Sequence, residues 1–268
     1  MGLFGVSAER NQVRSRPTAM MTAMSTETDH VCDLGRCEAC VIRHKGICNA
    51  LNADELQVFR QIACRRVYAP GDVIVSGDSS EVFFAAVVTG VVKLTKLLSD
   101  GRQQIVGLLF PPDCVGRPFG KAGPHIVEAA TDVELCCFPY GGFQRMLTDC
   151  SGLSQRLLGL TLDQLEEARD WMVLLGRKTA LERVASLLLM LATRSAVPGG
   201  SPDAGPQPAS FELHLRRAEI ADFLGLTYET VCRQISALGK DGVIRLDGKR
   251  HFQVLDRRAL AEIADVCP

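Results

Sequence analysis

The segment Cys37-Glu38-Ala39-Cys40-Val41-Ile42-Arg43-His44-Lys45-Gly46-Ile47-Cys48 reads C-x2-C-x7-C, with Cys32 a few residues upstream. Two thiols separated by two residues converge on one side of a turn, and the third lies one short loop away. Such a group suits zinc or an iron–sulfur cluster. Arg43, His44 and Lys45 lie between the thiols. Their positive charge is expected to lower the thiol pKa values and to offset several thiolates around one centre. The same pattern also reads as scattered free cysteines or a local disulfide. A metal reading needs a fourth ligand from elsewhere in the chain.

The chain has 268 residues, enough for two domains with a sizeable core. Its 47% hydrophobic and 23% charged residues are those of an ordinary globular protein. A net charge of −1 gives no overall basic field, so any nucleic-acid surface must come from local clustering. Eleven cysteines without a secretory signal favour a reducing compartment and metal chemistry over a disulfide scaffold. No apolar run reaches membrane-spanning length, so a cytoplasmic protein with no membrane partner is expected. Residues 1–30 are rich in small polar types and are expected to be disordered, with Met20, Met21 and Met24 as alternative starts.

The elements that must position the thiols follow in order. Asn52 to Ile62 has helical spacing, with Asn52 or Asp54 as cap. Val67 to Phe138 holds short apolar runs broken by Pro-Gly-Asp, Thr-Gly and Ser-Asp-Gly turns about every ten residues, the pattern of an antiparallel barrel or sandwich. A short helix is expected over Gly142–Leu147, and a long one from Ser154 to about Leu175. In the long helix Leu158, Leu162, Leu165, Ala168, Met172 and Leu175 recur at three- and four-residue spacing, which predicts a dimer seam. A second helix is predicted over Lys178–Thr193, then a Pro/Gly/Ser-rich loop over Ser195–Ser210.

Past a short strand over Phe211–Leu215, Arg217–Leu224 and Tyr228–Gly239 read as two helices joined by Gly225-Leu226-Thr227. Gly225 permits a left-handed backbone, Ala221 permits close approach, and Thr227 can cap the second helix. This is a helix-turn-helix pattern. Val243–Leu246 and His251–Leu255, around Asp247-Gly248, predict a hairpin wing with a type I′ turn. Lys240, Arg245, Lys249, Arg250 and His251 place positive charge there for phosphate contact.

In this order of parts the chain resembles the Crp/Fnr family of transcription regulators, and within it the oxygen-sensing Fnr branch of FnrL-type proteins. The motifs are C-x2-C-x7-C, Gly107-Leu108-Leu109 with Asp113-Cys114-Val115-Gly116, Leu135-Cys136-Cys137-Phe138, Leu174-Leu175-Gly176-Arg177-Lys178-Thr179 and Leu224-Gly225-Leu226-Thr227-Tyr228-Glu229-Thr230. The resemblance implies an α+β chain. Its parts are a cluster-binding segment (31–50), a β-roll of the cyclic-nucleotide-binding jelly-roll type (51–150), a long dimerisation helix (151–176) and a winged helix-turn-helix (177–268). It implies a 4Fe–4S cluster on Cys37, Cys40, Cys48 and Cys136, with Cys137 and Cys114 as rivals for the fourth place. Strand side chains alternate, so only one of Cys136 and Cys137 should face a cluster.

The resemblance also implies a homodimer that binds double-stranded DNA at TTGAT-type half-sites and works with RNA polymerase. Cyclic-nucleotide binding is not expected. Arg117 follows Gly116 where the nucleotide binders have Glu, and Gly123–Ala130 lacks their Arg-Ser pair. Glu229 and Arg233 match the family's base readers, with Thr227, Tyr228 and Lys249 beside them. Cys232 stands where the branch has Ser, which leaves the outer base preference open. A zinc- or thiol-based redox regulator would use the same cysteines. An iron–sulfur enzyme or electron carrier would need neither the helix-turn-helix nor the wing, so no catalytic residues are assigned.

Overall fold

The computed structural model describes residues 37, 39–76, 84–120, 123–195, 209–212, 215–248 and 251–265. The expectations placed on residues 1–30, Cys32, Lys249 and Arg250, and most of the 195–210 connection, lie outside the described residues.

A 3-10 turn at Ile47–Ala50 leads into helix α1 (Ala53–Ile62). Helix α1 starts at a reciprocal cap: the Asn52 side chain accepts from the Glu55 N–H at 2.9 Å, and the Glu55 carboxylate accepts from the Asn52 N–H at 2.9 Å. Two N–H groups that a helix end leaves open are thereby satisfied.

Eight strands follow: β1 (Cys64–Tyr68), β2 (Val73–Val75), β3 (Phe84–Thr89), β4 (Val92–Leu97), β5 (Gln103–Leu109), β6 (Cys114–Gly116), β7 (Ile126–Ala129) and β8 (Val133–Cys137). They form two antiparallel four-stranded sheets, ordered β1-β8-β3-β6 and β2-β7-β4-β5. Between the sheets pack Val87, Val92, Leu109, Val127, Val133 and Leu135, so apolar side chains fill the roll. The outer face of the first sheet is buried as well. Phe84 and Cys136 pack there against Phe59, Phe138 and Phe143, with ring centroids 4.6–6.1 Å apart among the four phenylalanines. Burial on both faces accounts for the unbroken apolar run of β3, which has no alternation.

Helix α2 (Tyr140–Asp149) extends beyond the expected Gly142–Leu147 at both ends. Helix α3 (Ser151–Arg177) has 27 residues and is therefore about 40 Å long. Helix α4 (Ala180–Ser195), β9 (Ala209–Glu212), α5 (Arg217–Leu224), α6 (Tyr228–Lys240), β10 (Ile244–Asp247), β11 (His251–Val254) and α7 (Arg257–Ile263) complete the chain. Strand β9 begins and ends earlier than the expected Phe211–Leu215. It joins the wing as a third strand, in the order β10-β11-β9. The wing turn also differs from expectation. Asp247 pairs with His251, so three residues separate the strands and not two. Gly248 takes φ +78°, a left-handed conformation that glycine adopts without steric cost.

Candidate functional site: a four-cysteine cavity and a DNA-reading helix

Cys37, Cys40, Cys48 and Cys136 line one small apolar cavity, together with Arg43, Arg65, Phe59 and Phe138. The loop that supplies the first three thiols is fixed by its own turns and by two apolar anchors. The Arg43 N–H donates to the Cys40 carbonyl at 3.1 Å, and the Gly46 N–H donates to the Ile42 carbonyl at 2.7 Å. Ile42 and Ile47 are buried in the core under the first sheet. A Cβ on Gly46 would stand 3.1 Å from the Ile42 oxygen, so glycine lets the turn close without displacing that carbonyl.

The fourth thiol comes from β8, where alternation separates two neighbours. Cys136 faces the cavity and the helical layer, whereas Cys137 packs inside the roll with Val133 and Leu135. Cys114 lies near Cys48 but borders the groove beside α3, not the cavity. Cys150 lies by Glu55, away from the cavity.

The expected charge arrangement is only partly present. Arg43 borders the cavity, but His44 and Lys45 are exposed. The decisive cation is Arg65 on β1, directly across from Cys136, whose guanidinium donates to Cys40 Sγ at 3.3 Å and pairs with Glu134 at 3.2 Å. The Cys48 and Cys136 thiols move upward, contrary to expectation. Burial, with Cys40 and Cys37 nearby, pushes Cys48 up to about 12 against the opposing pull of Arg65 and Arg43. Burial also holds Cys136 well above the ordinary thiol range. Desolvation outweighs the two guanidinium groups because the cavity excludes water.

Among the described residues no three His, Cys, Asp or Glu side chains converge tightly enough for a single ion. Tetrahedral zinc would need its sulfurs about 2.3 Å from one point. Four thiols spaced round a cavity, with a guanidinium to offset negative charge, fit a polynuclear iron–sulfur cluster, in which each cysteine binds its own iron.

The thiol loop is joined directly to α3. Arg156 donates to the Gly46 carbonyl at 3.3 Å and to the Lys45 carbonyl. A Cβ on Gly152 would stand 3.1 Å from the Ala50 oxygen, so the turn that carries Cys48 rests on the first turn of α3, backbone against backbone.

Helix α3 has two apolar faces. Leu153, Leu157, Leu160, Trp171 and Leu174 pack inward on the chain's own cores, at spacings built from threes and fours. Leu158, Leu162, Leu165 and Met172 form the opposite stripe and are 60%, 51%, 44% and 73% exposed. Ala168 is exposed beside them. Leu175, the last residue expected on the seam, is partly buried against the core that holds Leu174 and Val184. It follows Trp171 by four residues and so falls towards the inward face.

At the other end, Gly225 takes φ +62° and ends α5, while Thr227 caps α6 by accepting from the Thr230 N–H at 3.2 Å. Val231, Ile235 and Leu238 bury one face of α6, leaving Glu229 and Arg233 exposed on the other with Tyr228 at the start. Cys232 is half-buried, close to Arg217, whose guanidinium lies over the Phe252 ring at 5.0 Å.

One joint between the roll and this domain gave no signal in the sequence. Lys93 on β4 sits 2.6 Å from Glu128 on β7 and 2.6 Å from Glu219 on α5, with Arg216 3.2 Å from the same Glu219. Burial opposes the Glu219 charge, but hydrogen bonds from Arg216 and Lys93 outweigh it and hold the carboxyl down to about 2. Gln103 adds a 2.6 Å bond to Asp222, and Gln104 donates to the Phe223 carbonyl at 3.0 Å.

Comparison with known proteins matches this architecture in both halves. Residues 65–150 match the cyclic nucleotide-binding domain, and residues 182–263 match the Crp-like helix-turn-helix domain. The chain is 48% identical to the transcriptional activator protein FnrL of Cereibacter sphaeroides over 86% of its length and 92% of that protein. It is 37% identical to the nitrogen fixation regulation protein FixK of Bradyrhizobium diazoefficiens, over 78% of its length and 86% of that protein. The solved structure of FixK2 from Bradyrhizobium japonicum superposes with a TM-score of 0.68 at 32% identity, covering 77% of this chain and all of that one. A cyclic-nucleotide-type roll, a long helix and a winged helix-turn-helix on one chain, shared with relatives at this identity over most of both lengths, make the protein a member of the Crp/Fnr family of transcription regulators.

Proposed function

We propose that this protein is an oxygen-responsive transcription activator, in which Cys37, Cys40, Cys48 and Cys136 hold a 4Fe–4S cluster and a homodimer binds palindromic TTGAT-type DNA sites. The observation that carries the reading is the shared cavity of three loop thiols and one strand thiol, with Arg65 at its wall. When bound, such a cluster supplies oxygen-labile redox chemistry.

The chain's own residues supply the coupling. Cys48 lies in the turn that Arg156 and Gly152 hold against α3, so the fit of the thiol loop sets the position of the helix start. The outward stripe of α3 is an unsatisfied apolar face, and a second copy in parallel is the partner it suits. Pairing along it brings two α6 helices to one face of the duplex, about one helical turn apart. Glu229 then accepts from cytosine N4 and Arg233 donates to guanine O6 and N7. RNA polymerase is the partner for activation, in the cytoplasm. The roll interior, packed with Val87, Val92, Val127 and Leu135, is expected to bind no cyclic nucleotide.

The test is the protein prepared without oxygen. Iron and sulfide near four per chain, a broad visible absorption and dimer-dependent binding to a TTGAT palindrome are expected, all lost on exposure to air. A colourless zinc protein that binds the same DNA in air would overturn it.

A further inference from the structure

Two further cysteines face each other on the inner side of the same strand pair. Cys64 opens β1 and lies directly across from Cys137, which closes β8; the adjacent rung holds Arg65 and Cys136. Successive side chains alternate between faces. One rung therefore serves the four-cysteine cavity, while the other points into the roll, where both its thiols pack. Cys64 lies close enough to Cys137 to add to the effect of burial, and together they push the Cys137 thiol up to about 12. Cys137 is buried, and Cys64 is half-buried on the edge strand of its sheet.

This register suits a disulfide. Directly opposed residues of an antiparallel pair have Cα atoms about 4.5 or 5.5 Å apart, both within the roughly 4.4–6.8 Å that a disulfide spans. Their Cβ atoms lie about 4.5–5.5 Å apart, slightly more than the about 3.5–4.5 Å of a relaxed disulfide. A bond formed there is opened again by exchange with an excess of a small thiol.

We propose that Cys64 and Cys137 are a reversible dithiol–disulfide site, oxidised by a low-molecular-weight disulfide of the glutathione type and separate from the four cysteines of the cavity. Cys64, the more exposed thiol, loses its proton and attacks one sulfur of the oxidant. A mixed disulfide forms and one small thiol leaves with that proton. Cys137 then loses its proton and attacks Cys64 Sγ, and the second small thiol leaves with it. Two protein thiols are oxidised and one small disulfide is reduced to two thiols. The new bond lies one rung from the Arg65–Cys136 pair, so it cross-links β1 to β8 beside the cavity.

The test uses the full chain, prepared anaerobically, treated with glutathione disulfide, then alkylated under denaturing conditions and digested without reductant. The expected product is a Cys64 peptide joined to a Cys137 peptide, lighter by two hydrogens than the separate pair. It should disappear with excess reduced glutathione and be absent from Cys64→Ser and Cys137→Ala proteins. The wild-type digest decides the matter even where a variant folds poorly. A glutathione adduct on Cys64 with Cys137 alkylated, both residues alkylated, or bonds confined to Cys37, Cys40, Cys48 and Cys136 would each overturn the proposal.

Discussion

Arg65 and Cys136 stand opposite each other on β1 and β8, and the same guanidinium continues to Cys40 Sγ at 3.3 Å. One cation thus touches the loop and the strand that together supply the thiols. A hydrogen bond to a charged group contributes about 1.5–3 kcal/mol. Arg65→Gln should keep the fold but lower anaerobic iron and sulfide retention by roughly ten- to hundredfold in competition with a chelator. Arg65→Lys should fall between, since it keeps charge without the planar fork.

The alternation along β8 gives a sharper comparison. Cys136→Ser should abolish the visible absorption of anaerobic protein, as should the same change at Cys37, Cys40 or Cys48. Cys137→Ser should retain it, because that side chain points into the roll. Full absorption in Cys136→Ser protein would show that the strand thiol is not a ligand.

The two faces of α3 separate association from folding. Leu165→Asp puts a charge on the exposed stripe and should yield a folded monomer in anaerobic sedimentation, with the cluster still bound. Leu175→Asp puts it against the chain's own core and should lower the unfolding midpoint instead, by several kcal/mol of lost stability. A stable dimer of Leu165→Asp would move the seam to another face.

On α6, Arg233→Ala should lose about 1–3 kcal/mol per half-site and relax the preference at one guanine. Cys232→Ser should sharpen selection at the outer base if a hydroxyl is needed there, and change little if the sulfur meets a thymine methyl. Anaerobic titration of half-site variants at one salt concentration reads both. Equal preferences for Arg233→Ala and wild type would remove α6 as the reader.

The charge cluster at Lys93 makes the domain joint acid-sensitive. Glu219 has its carboxyl lowered from 4.5 to about 2. The folded state therefore holds this proton less tightly than the unfolded chain. The resulting stability is full above about 4.5 and is lost as pH falls towards about 2. Glu219→Gln should flatten the stability–pH curve in that window, and Lys93→Met should destabilise more, since it leaves two carboxylates facing each other. Urea unfolding at a series of acid pH values measures both.

Much of this was legible in the sequence because it rests on local rules. The Asn52 cap, the left-handed Gly225 and the Thr227 cap each need only a few neighbours, and the structure holds all three as read. Which of Cys136 and Cys137 faces the cavity needed the strand's two surroundings. Arg65 became visible only through register, because its partner lies 71 positions along the chain, at Cys136. The partial burial of Leu175 was not legible, because a three-four pattern does not say how far a residue between two apolar faces leans towards either. Helix α7 went unread although Asp256 caps it, accepting from the Ala259 N–H at 2.9 Å, and Leu260 buries it. The Lys93–Glu219 contact joins residues 126 positions apart, and no spacing announces it.

The seat of the thiol turn on α3 has a mechanical consequence. At Gly152 the two backbones meet with 3.1 Å between a would-be Cβ and the Ala50 oxygen, and no side chain lies between them to bend or switch rotamer. A linkage of this kind has little backlash: with no side chain to take up slack, a shift at Ala50 is expected to press directly on the first turn of a rod about 40 Å long. The proposed coupling from the thiol turn to α3 therefore needs no intermediate side chain at this joint.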